Sequence, residues 1–239
     1  TPTTTTSKPT PAPTPGPVTP PEQGTWVYHD AKTNVTCIKV QFAAQFNVTY
    51  NKNVNNSIVL WHVKVNVPAN ASVVNGSCVG DQWLTLSWLT NNASTLANNL
   101  TLTYHSNDTT KNYALKSLNV SLTPDNFING SSADPTQLYH GAEWLTPLAT
   151  SYRCSAATML NMTSASGSAA QLTLSRLQEE AYRTVPGQDF SAARECGSGD
   201  VPDAVPIAVG CALGGLVLVV LVAYLVGRHR SASRGYLSM

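Results

Sequence analysis

Two residue patterns in this chain carry recognisable chemistry. The first is the triplet Asn-x-Ser/Thr, which occurs at Asn34, Asn47, Asn55, Asn70, Asn75, Asn92, Asn99, Asn107, Asn119, Asn129 and Asn161, never with proline in the middle. Each is an acceptor for an N-linked glycan on a chain that enters a secretory lumen. The second is cysteine. Cys37 and Cys78 are 41 residues apart, and Cys154 and Cys196 are 42 apart. Four cysteines allow three pairings, and the near-equal spacings suggest sequential ones. Closing each loop would stabilise the fold by roughly 4 kcal/mol in the chain-entropy treatment. Disulfides and sequons both belong to an oxidising compartment outside the cytosol.

Catalytic chemistry is not indicated. His29, His62, His105, His140 and His229 are scattered, with none at metal-ligand spacing. No Gly-x-Ser-x-Gly, His-Glu-x-x-His or glycine-rich phosphate loop occurs. Glu179–Glu180 reads as a solvated turn rather than an acid/base pair. No enzyme, metal or cofactor is expected. With a net charge of +1 and no basic cluster in the main part of the chain, a nucleic-acid partner is not expected either.

The sequence also predicts the elements that must position the acceptors. Val59, Trp61, Val63, Val65 and Val67 share one strand face, with Leu60, His62, Lys64 and Asn66 on the other. Leu100, Leu102 and Tyr104 alternate with polar residues, as do Leu118, Val120 and Leu122. Such period-two segments between turn-rich spacers predict an all-β sandwich or related layered sheet over residues 25–199. In a strand, a sequon's asparagine and its hydroxyl residue share a face. For Asn99 and Asn119 that face lies opposite the leucines, so a sugar there should point to water. The segment Gln171–Gln178 is ambiguous, because Leu172 and Leu174 alternate and Leu177 breaks the period.

Flanking this domain are segments of different character. Residues 1–24 are rich in proline and threonine, which predicts an extended, O-glycosylated stem or hinge. After a juxtamembrane piece, 200–204, residues 205–226 contain no charge. As a helix they would be roughly 33 Å long, enough for a bilayer core of about 30 Å. Asp200 and Asp203 precede this run, and Arg228, Arg230 and Arg234 follow it. The basic side is therefore expected in the cytosol and residues 1–204 in a lumen or outside the cell. This type I arrangement implies a signal sequence upstream of Thr1. Gly210 and Gly214 form a Gly-x-x-x-Gly that would let two such helices approach and associate as a homo-oligomer. Cys211, within the same run, is expected to be a packed thiol.

The stretch VPIAVGCALGGLVLVVLVAYLVG (Val205–Gly227), with its short basic tail, resembles the lysosome-associated membrane glycoprotein (LAMP) family. TPLATSYRC (Thr146–Cys154) and AYRTVPGQDFSAARECGSGD (Ala181–Asp200) resemble the membrane-proximal luminal domain of that family. The resemblance covers roughly residues 25–239. It implies a β-prism luminal fold and the sequential disulfides Cys37–Cys78 and Cys154–Cys196. It also implies a lysosomal or late endosomal membrane location with some passage over the cell surface, and roles in lysosome integrity, autophagy and regulation of other lysosomal membrane proteins.

The tail, 227–239, ends in Gly235, Tyr236, Leu237, Ser238 and Met239. Tyr236 with a bulky apolar residue three places on resembles peptides that bind clathrin-adaptor medium subunits as an added strand. Met239 would fill the second pocket, where a flexible thioether adapts well. An extended tail would carry Tyr236 up to roughly 30 Å from Val226. The expected function is a protective luminal glycan coat delivered by this signal. The alternative is a cell-surface or endosomal adhesion ligand or scavenger-type receptor on a mucin-like stem.

Overall fold

In the computed structural model the described residues are 19–30, 33–164, 169–184, 189–197 and 204–234. Most of the stem and the signal residues Gly235, Tyr236 and Met239 lie outside them. The chain divides into two units, Thr1–Cys196 and Gly197–Met239.

Within the first unit the strands are, in chain order, β1 (Gly24–His29), β2 (Thr36–Val54), β3 (Ser57–Val67), β4 (Ser72–Ser77), β5 (Gln82–Leu89), β6 (Ala97–Asn107) and β7 (Asn112–Leu122). After a 3-10 turn at Pro124–Asn126 come β8 (Thr136–His140), β9 (Glu143–Pro147), β10 (Ser151–Cys154), β11 (Thr158–Met162), β12 (Ala170–Glu180) and β13 (Ala193–Glu195). One sheet is ordered β1-β2-β12-β10-β13, with β3 also on β2 and β11 on β12. The second is ordered β4-β5-β6-β7-β8, with β9 also on β7. All pairs are antiparallel except β10–β13. A bridge between Tyr139 and Thr163 stitches β8 to the end of β11.

The core follows from alternation. Val40, Phe42, Ala44, Phe46 and Val48 on β2 are buried, while Lys39, Gln41, Gln45 and Asn47 are not. Leu84 and Leu86 on β5, Leu100, Leu102 and Tyr104 on β6, and Leu118, Val120 and Leu122 on β7 supply the facing layer. Burying each such side chain stabilises the fold by about 1.5–3 kcal/mol before entropy costs. Trp26 locks the entry of β1. Its ring lies 4.8 Å from that of Phe42, and its Nε1 donates to the Ala71 carbonyl at 2.7 Å.

Three departures from simple alternation have physical causes. β12 is a strand throughout, but its register against β2 shifts between Ser175 and Gln178, where Arg176 takes a φ of 52°. The bulge turns Leu177 inward, which resolves the broken period. β12 then continues through Glu180, so Glu179 and Glu180 are not a solvated turn; both are buried strand residues. In β3 only Val65 and Val67 are buried. Val59 and Trp61 are exposed because the β2–β3 hairpin outruns the facing sheet.

In the second unit α1 runs Ala204–Arg234 and contains the expected span 205–226. Its described side chains are 210–226 and Arg228, all exposed. Among the described residues no helix is long and apolar enough to cross a membrane. Cys211 is free and exposed rather than packed. The helix also persists to Arg234, so 227–234 advances only about 1.5 Å per residue and the tail's reach is shorter than an extended one.

Candidate functional site

Every sequon asparagine lies at the surface. Ten are exposed, and Asn99 is half-buried. Asn34, Asn55 and Asn129 occupy turns at φ of 55°, 48° and 56°, a region asparagine tolerates better than most residues. Asn107 closes an Asx turn, its Oδ1 accepting from the backbone N–H of Thr109 at 2.9 Å and of Thr110 at 3.2 Å. Asn47, Asn75, Asn119 and Asn161 stand on outward strand faces. Asn119 points away from Leu118 and Val120, as its alternation requires. Asn99 is half-buried between Ser87 of β5 and Ser121 of β7.

The buried asparagines are others. Asn98 and Asn126, neither in a sequon, form an inner polar cluster. Asn98 Oδ1 accepts from the Thr123 N–H at 2.9 Å and from Asn126 Nδ2 at 2.7 Å, and Asn98 Nδ2 donates to Thr90 Oγ1 at 3.0 Å. The adjacent pair Asn98–Asn99 thus splits by strand face, one amide committed to the core and the other bearing the triplet.

The four luminal cysteines form Cys37–Cys78 and Cys154–Cys196, with Cα separations of 5.7 and 4.9 Å. The first joins β2 to the segment after β4, and hence the two sheets. The second ties β10 to the residue following β13. An open groove of about 630 Å³ adjoins Cys37–Cys78, with Asp30, Asp108, Tyr182 and Arg183 on its wall. No histidine is among its described lining residues, and no metal-binding group of His, Cys, Asp or Glu occurs among the described residues.

A second buried polar cluster lies at the end of β12. Arg183 Nη1 donates to Glu180 Oε2, both side chains being 2% exposed. Ser191 satisfies both carboxylate oxygens, through its N–H at 2.9 Å and its hydroxyl at 2.6 Å. Glu179 points to the Tyr104 hydroxyl, which donates to Oε2 at 2.9 Å, while Oε1 has no hydrogen-bond partner. Burial raises the Glu179 carboxyl to about 8, against the lowering effect of the Tyr104 bond. It also pushes the Tyr104 and Tyr113 hydroxyls well above their ordinary range. Nothing in the local sequence signals this cluster, since a Glu-Glu pair normally marks a wet face.

Fold and surface together define a disulfide-closed, all-β glycoprotein domain followed by a helix. The lysosome-associated membrane glycoprotein 2-like luminal family model matches residues 8–197, and the transmembrane-segment model of lysosome-associated membrane glycoprotein 2 matches 205–236. The chain belongs to the lysosome-associated membrane glycoprotein family. Bovine lysosome-associated membrane glycoprotein 1 is 32% identical over 85% of this chain and 46% of its own length. Human lysosome-associated membrane glycoprotein 2 is 30% identical over 97% and 50%. The chain spans about half the length of these curated relatives. The membrane-proximal domain of mouse lysosome-associated membrane protein 1 superposes with a TM-score of 0.56 at 18% identity, over 74% of this chain and 98% of that one. For human LAMP-3 the TM-score is 0.54, again at 18% identity, over 74% and 99%. Membership makes the chain a lysosomal and late endosomal membrane glycoprotein of type I order, its luminal part preceding its transmembrane segment.

Proposed function

We propose that the first unit presents a dense N-glycan coat to the lysosomal lumen and shields membrane and protein from hydrolases. Residues 205–226 would cross the bilayer, and Tyr236 with Met239 would recruit clathrin-adaptor medium subunits. The observation that carries the coat is the partition of asparagines: all eleven sequon acceptors are reachable, while buried Asn98 and Asn126 lie outside any triplet. Sugars on so many faces would block proteases sterically, and the two disulfides suppress the local opening that cleavage requires. Gly210 and Gly214, both exposed on α1, would let two spans approach closely.

The coat is tested by enzymatic removal of N-glycans followed by incubation in lysosomal extract. A half-life shortened several-fold is expected; an unchanged one removes the shielding role. The signal is tested separately. Tyr236→Ala should raise the surface-biotinylated fraction, and no rise would dismiss adaptor binding.

A further inference from the structure

The β2–β3 hairpin beyond the core poses an unusual problem. Its turn is Asn55–Asn56, both at positive φ (48° and 61°), the form a two-residue hairpin favours. Register places Asn47 opposite Lys64, Thr49 opposite His62, Asn51 opposite Leu60 and Asn53 opposite Ile58, so these eight residues share the outer face. That face is polar except at Ile58 and Leu60, which are 66% and 67% exposed. Among the described residues β3 also has no backbone partner on its far edge. A long apolar edge is an aggregation hazard that proteins normally guard. Here β3 has one positive charge, Lys64, well away from the tip.

On this outer face the patch is two leucine-sized side chains, too small for a stable protein interface, which needs about 1,000 Å² or more. Exposed Val59 and Trp61 lie on the opposite face, where Lys52 Nζ sits 4.5 Å from the Trp61 ring centre. Ile58 and Leu60 do match the apolar C–H face of one or two pyranose rings, which gains dispersion contacts on aliphatic side chains. Acceptors bracket the patch. Asn55 is in the turn, with Ile58 only one pair into the strand, and Asn47 is on the same face, four pairs from Leu60, or about 13 Å along the strand.

We propose that this apolar arm is covered by the chain's own N-linked sugars, with the inner residues of the Asn55 glycan, assisted by that of Asn47, lying over Ile58 and Leu60. The sugars would then guard an open sheet edge as well as screen proteases. The inference rests on the glycan-coat reading and adds a specific packing role to it.

Hydroxyl-radical footprinting of the full chain from glycosylating cells, read by mass spectrometry, tests it. In Asn55→Gln, and more so in Asn47→Gln/Asn55→Gln, oxidation of Ile58 and Leu60 should rise at least threefold, with Leu145 as an exposed control that does not change. Ser57→Ala, which destroys the Asn55 sequon without touching the asparagine, must reproduce the rise. Equal labelling with and without sugars overturns the proposal, as does an unoccupied Asn55 in the native protein. Protection that persists without sugars and disappears in a Leu60→Arg variant that also shifts sedimentation overturns it in favour of a second copy. If labelling is unchanged while deglycosylated protein still degrades faster, the packing role falls and the coat stands.

Discussion

The two buried polar clusters of the luminal domain solve the same problem with different chemistry. Around Asn98, every partner is a neutral amide, hydroxyl or backbone group. Around Glu179 and Glu180 the partners are a guanidinium, tyrosine and serine hydroxyls and a single N–H. A neutral network holds the same protons at every physiological pH. An ionisable one ties stability to the compartment. The comparison teaches that a domain destined for an acidic lumen can hold a carboxylic acid in its core at little cost there.

Arg183→Met should give the largest effect. It strands the Glu180 carboxylate, and losing one partner of a buried pair costs about 3–5 kcal/mol. The midpoint of urea unfolding at pH 7 should drop sharply, and Arg183→Met/Glu180→Gln should recover much of it. A single variant as stable as the parent would mean the pair is wet.

Next comes the pH dependence of Glu179. Its folded value of about 8 lies above the ordinary 4.5, so the native state retains a proton that the unfolded chain releases. Its stabilising contribution is complete below about pH 4.5, declines as pH rises, and is gone above about pH 8. The domain should therefore lose on the order of 3 kcal/mol between pH 5 and pH 8 from this group. Glu179→Gln should flatten that slope in thermal melts across the range. An unchanged slope would place the titration elsewhere.

Asn98→Ala should cost about 2 kcal/mol by leaving the Thr123 N–H without its acceptor. Unlike the Glu179 effect, its cost should be the same at pH 5 and pH 7. The smallest effect is expected at the surface. Lys116 pairs with Asp81 at 2.6 Å, and this bond, with one from His105, holds the Asp81 carboxyl below its usual range. Lys116→Ala should leave the unfolding midpoint unmoved in 0.15 M salt, because exposed pairs contribute little. A clear shift there would blur the distinction between buried and exposed charge.

Much of the architecture was legible because alternation reports burial directly. The faces of Val59–Val67 and of Leu100–Tyr104 follow from period two alone. Near-equal cysteine spacings suggest sequential pairing and the resemblance implies it, although spacing alone leaves three possibilities open. The bulge at Arg176 was not legible, because a positive φ on arginine has no sequence signature, and without it Leu177 looks out of place. Glu179 and Glu180 escape a local reading for another reason: the partners that bury them, Tyr104 and Ser191, are 75 and 11 residues away. The length of the facing sheet, which decides that Trp61 is exposed while Val65 is not, also cannot be seen within β3.

The Cys154–Cys196 bond also has a mechanical consequence. The last strand of the first unit, β13, has three residues and, among the described residues, pairs only with β10. Tension arriving along the backbone at Gly197 would otherwise peel that strand rung by rung. With Cys196 bonded to Cys154, the load passes covalently into β10, and β13 sits in a slack loop that carries none of it.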